Sequence, residues 1–191
     1  MRLEVIDMAS TGSGPVNEDR AGARGAMAWV IDGATDVLAE PIVSDTSDAA
    51  WFADALDRQL QLFAANGAAS LDDLPALAAE AIRPAFEVSR KRELKFWHEH
   101  PSAAAMVVRL GRDGLETVGL GDCALIVECG GKLVQRGISE RGAGDPWVAA
   151  AIIEHRTLLP GTSQAEARAA LWPKLRGARE RMNRENGYGI F

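Results

Sequence analysis

The spacing of apolar residues changes along the chain, and the change falls near Ser102. The first half contains one stripe of apolar residues at helical spacing, formed by Phe52, Leu56, Leu60 and Phe63. This stripe predicts an amphipathic helix from Asp48 to about Ala65, with Ser47 as its N-cap. After Ser102 the apolar residues come in short runs separated by glycine-containing turns, and such runs are typical of strands.

A second helix is predicted after Asp72, with Pro75 in its first turn. Its expected apolar side consists of Leu74, Leu77, Ala81 and Ile82. Pro84 should end or kink this helix because proline lacks the amide that the helix needs. A continuation towards Trp97 is also expected.

Short strands are predicted at both ends of the chain and after Ser102. They cover residues 3–8, 27–31, 103–110, 115–120, 124–129, 132–135 and 188–191. The four strands after Ser102, the last two joined at Gly130-Gly131, should form one antiparallel meander. Residues 138–162 are expected to be loop-like with a short helix, and Gln164–Met182 to be a further helix.

The order of these elements predicts an α+β fold, a sheet-rich core covered by helices. Strands this short and joined by hairpins do not make a doubly wound parallel sheet. With 191 residues and no internal repeat, residues 1–191 are expected to form a single domain.

Composition indicates which partners to expect. The formal net charge is -6, and the arginines are scattered, so neither nucleic acid nor an anionic membrane is an expected partner. The N-terminus lacks a signal-peptide pattern, and no apolar run could span a bilayer. Cys123 and Cys129 are six positions apart in a predicted strand, too far to bridge. We therefore expect a reduced, cytoplasmic protein.

Two aspartates are predicted to face each other. A type II′ turn at Gly25-Ala26 would pair Asp19 with Asp32 on neighbouring strands. Directly opposed residues have Cβ atoms about 4.5–5.5 Å apart, so the two carboxylates repel unless a cation lies between them. The alternative is that Asp32 simply ends a strand and Asp19 lies in a solvated loop.

Two neighbouring groups add oxygen atoms to this pair. Glu18 supplies a third acid, and the carbonyl of Gly33 is unobstructed by a side chain. Carboxylate, carbonyl and water oxygens suit Mn²⁺ or Mg²⁺ rather than Zn²⁺. Two such ions can lower the pKa of a bridging water and clamp a phosphoryl group.

Four motifs in this order resemble the metal-dependent serine/threonine phosphatases of type 2C. The motifs are Asn17-Glu-Asp19, Trp29-Val-Ile-Asp-Gly33, Pro101-Ser-Ala-Ala-Ala105 and Val118-Gly-Leu-Gly-Asp-Cys123, the last with Cys123 in place of a serine. The resemblance covers nearly the whole chain. It implies an αββα sandwich of two antiparallel sheets flanked by helices, with metals at one end.

The resemblance also implies roles for individual residues. Asp32 would bridge two Mn²⁺ or Mg²⁺ ions, and the Gly33 carbonyl would bind one of them. Glu18 and Asp19 would hold ligand waters, and Asp122 would bind a third, weaker ion. The implied reaction is hydrolysis of phosphoserine or phosphothreonine by a metal-activated water, and the implied partners are a phosphoprotein substrate, a kinase or a kinase's target.

The chain also departs from the family pattern. Gly14 stands where an arginine usually holds phosphate. Either Arg20 or Arg24 replaces it, or both are ordinary surface arginines. Ala34-Thr-Asp36 replaces a glycine-rich stretch, no histidine general acid follows Gly33, and the late acidic motifs are missing, as expected of a partial chain. Two alternatives therefore stay open: a type 2C-like regulatory or binding domain that has lost catalysis, and a small-molecule phosphatase using the same metals.

Overall fold

A computed structural model describes residues 3–12, 15–67, 70–137, 146–185 and 189–191. The strands are β1 (Asp19–Arg24), β2 (Met27–Gly33), β3 (Ala103–Leu110), β4 (Leu115–Leu120), β5 (Leu125–Cys129) and β6 (Lys132–Arg136). The helices are α1 (Asp48–Asn66), α2 (Leu74–Ser89), α3 (Pro146–Leu158), α4 (Gln164–Ala170) and α5 (Trp172–Arg179). The predicted α+β class is confirmed.

The larger sheet has the strand order β1-β2-β3-β4, with every neighbouring pair antiparallel. Its core side is covered by α1 and α2, and the buried cluster there includes Trp29, Ile31, Leu56, Leu60 and Val107. Alternate residues of β2 are buried under the helices, and those between them point to the other face. The sheet therefore has one helix-covered face and one more open face.

The two helix predictions before Ser102 are largely confirmed. Ser47 caps α1 by accepting a hydrogen bond from the Ala50 amide at 3.1 Å. The α2 helix has its early proline as expected, but it passes through Pro84 to Ser89. Pro84 is exposed, so the carbonyl it frees can bond to water. The chain from Arg90 to Phe96 is not helical, and Trp97–Glu99 is a separate 3₁₀ turn.

The predicted four-strand meander is wrong, because β5 and β6 form a separate two-stranded sheet. The chain leaves the larger sheet at Gly121, which has a φ of 80°. A β-carbon there would lie 2.4 Å from Cβ of Ala104, so only glycine allows this crossing. A β-carbon on Gly137, just after β6, would lie 2.3 Å from the Cys123 carbonyl oxygen and 2.4 Å from Cε of Met106 on β3. The base of the β5–β6 hairpin thus lies over the open face, and most of the hairpin is exposed.

Three other predictions need correction. Residues 3–8 form no strand, and Ile6 is 97% exposed. The helix predicted over 164–182 is divided into α4 and α5, because Pro173 in the first turn of α5 cannot continue α4. The strand predicted at 188–191 is reduced to a pair of backbone hydrogen bonds between Phe191 and Ala103, and residues 186–188 lie outside the described residues.

The helices near the end of the chain form a second apolar cluster. Leu171 and Leu175 pack with Val37, joined by residues of α3. The region 138–162 contains the thirteen-residue α3, longer than the predicted short helix, whereas residues 138–145 lie outside the described part. Within the described residues, no helix is long and apolar enough to cross a membrane.

Candidate metal centre at the β1–β2 hairpin

Asp19 and Asp32 are direct partners in the β1–β2 ladder, as predicted. The register also pairs Arg20 with Ile31 and Arg24 with Met27. Gly25 has a φ of 60°, and Ala26 is not among the described residues with positive φ, which agrees with a type II′ turn. The local turn chemistry therefore sets the register that brings the two carboxylates together.

The acidic pair lies on the open face of the sheet. Trp29 and Ile31 are 3% and 2% exposed beneath α1, whereas Asp32, the residue after Ile31, is exposed on the other face. Asn17 lies just before β1, and its side-chain oxygen accepts a hydrogen bond from the Asp19 amide at 2.9 Å. The site is thus displayed to solvent on a hairpin whose other side is anchored in the core.

The electrostatics of the pair favour protonation when no cation is bound. The pKa of Asp32 is raised from 3.8 to about 6, first by partial burial of its carboxyl group and then by the negative charges of Asp19 and Asp122. A side-chain hydrogen bond with Asp19 and the charge of Glu18 act in the same direction. A divalent cation would remove this repulsion, so the pair has the charge that cation binding requires.

The turn after β4 brings Asp122 and Cys123 towards the Asp19–Asp32 pair. The charges of Asp32 and Asp122 both act on the Cys123 thiol. Burial is the largest cause, followed by the charges of Asp32 and Asp122, and the pKa of Cys123 is raised to about 12. The thiol is therefore protonated at neutral pH and is a poor nucleophile.

Glu18 is held by two hydroxyl groups. Its Oε1 accepts a hydrogen bond from Ser47 Oγ at 2.5 Å, and its Oε2 accepts one from Thr35 Oγ1 at 2.5 Å. Ser47 is also the N-cap of α1, where negative charge is favourable. Glu18 therefore joins the site to the start of α1, and its predicted role in holding ligand waters must use the remaining lone pairs.

Gly33 fills a crowded position at the end of β2. Its amide donates to the Glu18 carbonyl at 3.1 Å. A β-carbon there would lie 2.6 Å from that carbonyl oxygen and 3.0 Å from the Ala49 carbonyl oxygen. Glycine is therefore required by packing, whatever its carbonyl binds.

Arg20 lies on the opposite side of the sheet from the acidic pair. Its Nε donates to Asp54 of α1 at 2.6 Å, and its Nη1 donates to the carbonyls of Asn17 and Asp19. Arg24 reaches the Gln61 carbonyl of the same helix. Strand alternation thus directs both side chains towards α1 and away from the acidic pair, and the structure does not bring either arginine, suggested as a phosphate ligand, to the open face.

Buried acids behind the site were missed by the sequence analysis. Asp48 is 1% exposed, and its carboxylate accepts hydrogen bonds from the backbone amides of Ile42, Val43 and Ser44. Asp36 accepts the Asp48 amide at 2.9 Å. The pKa of Asp36 is raised to about 6, chiefly by burial. The Ser47-Asp48 capping pair signalled the start of a helix but gave no sign of these contacts.

Two arginines of α5 also reach this region. Arg179 is 9% exposed, and its Nη2 donates to the carbonyl oxygens of Ala34 and Thr35 at 3.0 and 2.5 Å. Arg176 donates through Nε to the Val37 carbonyl at 2.8 Å. No sequence signal connects these residues, because they are separated by more than a hundred positions.

The donor set fits a hard cation that keeps part of its water shell. Asp19 and Asp32 offer carboxylate oxygens on one open face, and Mg²⁺ commonly binds through one or two carboxylates. Among the described residues, however, no group of three or more histidine, cysteine, aspartate or glutamate side chains is arranged to hold a metal by itself. Water or backbone oxygens would have to complete the shell.

Comparisons of the chain with protein-family models, with curated proteins and with solved structures found no match. The resemblance to type 2C phosphatases therefore stays an expectation.

Proposed function

We propose that this chain carries the metal-binding hairpin of an enzyme that hydrolyses phosphoserine or phosphothreonine monoesters in proteins with Mn²⁺ or Mg²⁺. The observation that supports this most strongly is the direct pairing of Asp19 with Asp32 on the open face. A sheet gains nothing from opposing two carboxylates, because like charges at this spacing destabilise it. A bound cation turns the same arrangement into a stabilising one.

Each acidic residue of the hairpin region has its own proposed role in cation binding. Asp32, flanked by the other acids, would be the central cation ligand, with Asp19 opposite it and the Gly33 carbonyl adjacent. Glu18 would orient water at the edge of the site, and Asp122 contributes further negative charge. When bound, the divalent cation supplies a water of lowered pKa and positive charge opposite the phosphoryl group.

Hydrolysis by a metal-activated water needs no nucleophile from the protein. The Cys123 thiol is held in its protonated form, with its pKa raised to about 12 by burial and by the neighbouring aspartates. A direct attack by water is therefore favoured over a covalent intermediate on this thiol. The substrate class, a phosphoprotein, comes from the resemblance alone.

A second candidate is a domain with the same architecture that binds a partner without catalysis. Two observations favour it. Arg20 and Arg24 both reach towards α1 rather than the acidic face. The described residues also lack a cluster of three side-chain ligands. Capture of a partner without added metal would support this alternative.

The test is phosphate release from a phosphothreonine peptide, measured for the 191-residue chain with and without Mn²⁺. We expect turnover that requires Mn²⁺, disappears with chelator and falls by at least about a hundredfold in Asp32→Asn. Asp72→Asn, an exposed acid at the start of a 3₁₀ turn, is the matched control and should retain full activity. Turnover that persists in chelator would refute the proposal, and metal binding without turnover would favour the binding domain.

A further inference from the structure

The segment that follows Gly33 has no regular secondary structure, yet it lies directly beside the candidate metal centre. Residues 34–37 leave β2 after Gly33, so their carbonyl groups lose the partners that a sheet would provide. The Ala34 amide still donates to the Ser102 carbonyl at 2.9 Å. The carbonyl side of the segment is instead satisfied by α5.

Arg179 provides most of that contact. One nitrogen, Nη2, donates to the carbonyl oxygens of both Ala34 and Thr35. Arg179 is 9% exposed, and charged hydrogen bonds are stronger away from water. Holding both carbonyls of consecutive residues fixes the orientation of the peptide between them.

Fixing that peptide also fixes the Thr35 hydroxyl. Thr35 donates through Oγ1 to Glu18 Oε2 at 2.5 Å, and Ser47 holds the other oxygen of Glu18. A rotation of the Thr35 backbone would move its hydroxyl away and release one side of the carboxylate. Glu18 in turn contributes to the negative charge around Asp32.

We infer that Arg179 is a positioning residue for the metal centre, acting through Thr35 to hold the Glu18 carboxylate in place. The inference rests on the proposed function only for its consequence, tighter cation binding. The physical link from Arg179 to Glu18 exists without metal and can be measured without it. Outer-shell residues of this kind commonly change metal affinity by about tenfold or more when they are replaced.

The first experiment uses metal-free protein. Arg179→Met removes the donors and keeps an apolar stem, and Arg179→Lys keeps the charge but loses the planar guanidinium. The control is Arg181→Met, because Arg181 is exposed and its side chain donates to the Gly177 carbonyl one turn away in its own chain segment. Amide exchange is measured for residues 34–37, with residues 105–107 of β3 as an internal reference, together with the carboxyl ¹³C shift of Glu18.

We expect Arg179→Met to speed exchange at residues 34–37 more than at 105–107 and to shift the Glu18 carboxyl resonance in the same direction as Thr35→Val. Arg179→Lys should give smaller changes of the same sign, and it decides the question if the methionine variant does not fold. Exchange and shifts equal to those of the unmodified protein in any folded Arg179 variant would overturn the inference. An equal increase in amide exchange rate at residues 34–37 and at residues 105–107 would also overturn it, because a purely structural role of Arg179 produces such a uniform increase.

The second experiment measures Mn²⁺ affinity for the same variants. We expect roughly tenfold weaker binding in Arg179→Met and in Thr35→Val, with no further loss in the double variant. Additive losses would contradict an action through Thr35. If the unmodified protein bound no Mn²⁺, the proposed function would fail, and the metal-free measurements would still decide the role of Arg179.

Discussion

The indole ring of Trp29 occupies the space that a side chain on Gly22 would need. The two residues are direct partners in the β1–β2 ladder, and a β-carbon on Gly22 would lie 2.5 Å from ring atoms of Trp29. The ring also donates to Asp57 of α1 through Nε1 at 2.7 Å. This contact anchors one face of the hairpin under α1 and leaves the acidic pair on the other face.

Gly22→Ala should therefore destabilise the fold. The added methyl group would force Trp29 away from its place beneath α1, at a cost of about 2–3 kcal/mol in the free energy of unfolding. Urea denaturation followed by Trp fluorescence measures this change. Gly177→Ala is the matched control, since a β-carbon there meets nothing within 4 Å, and it should be neutral or stabilise α5 by up to about 1 kcal/mol. Equal stability of the two variants would contradict the packing argument.

Asp32→Asn should stabilise the metal-free protein near neutral pH. The pKa of Asp32 is raised from 3.8 to about 6, so the folded state holds this proton more tightly than the unfolded state does. Ionisation therefore reduces stability as the pH rises from about 4 to about 6, and the penalty is absent at lower pH. Because the residue is exposed, we expect a gain of only about 1 kcal/mol at pH 7.

Thermal unfolding of Asp32→Asn and of the unmodified chain across this pH range tests the point. The two curves should converge at acidic pH and separate towards neutrality. Saturating Mn²⁺ should reduce or reverse the difference in stability between the two proteins, since the cation binds the native carboxylates. A variant that is less stable than the unmodified protein at pH 7 without metal would show that the carboxylate is not under strain from its neighbours.

Arg20→Ala should affect stability rather than phosphate recognition. The guanidinium is paired with Asp54 of α1 and is partly exposed, so its removal should cost about 1 kcal/mol. In the turnover assay, the KM for a phosphopeptide should stay within about twofold of that of the unmodified enzyme. A large rise in KM with unchanged stability would restore Arg20 as a phosphate ligand.

The hairpin was predictable from the sequence because its information is local. Gly25 sets the turn, the turn sets the register, and the register opposes Asp19 and Asp32. The α1 helix was predictable for the same reason, with the Ser47 cap at its start and an apolar stripe along its length. In each case the deciding residues lie within a few turns or one hairpin of each other.

The features that were missed depend on distant parts of the chain. The place of Arg179 beside Ala34 and Thr35 follows from tertiary packing, and no local pattern encodes it. The separation of β5 from β4 depends on the close approach of Gly121 to Ala104, which a turn-rich sequence alone cannot distinguish from a continuing meander. Arg20 shows that a residue beside a candidate metal-binding motif can belong to the opposite face.

Calorimetric titration with Mn²⁺ tests the central proposal most directly, because it asks whether the opposed carboxylates hold a cation. We predict micromolar binding by the unmodified chain, a loss of more than about tenfold in both Asp19→Asn and Asp32→Asn, and no change in Asp72→Asn. Binding of equal strength in all four proteins, or no binding in any of them, would contradict the account.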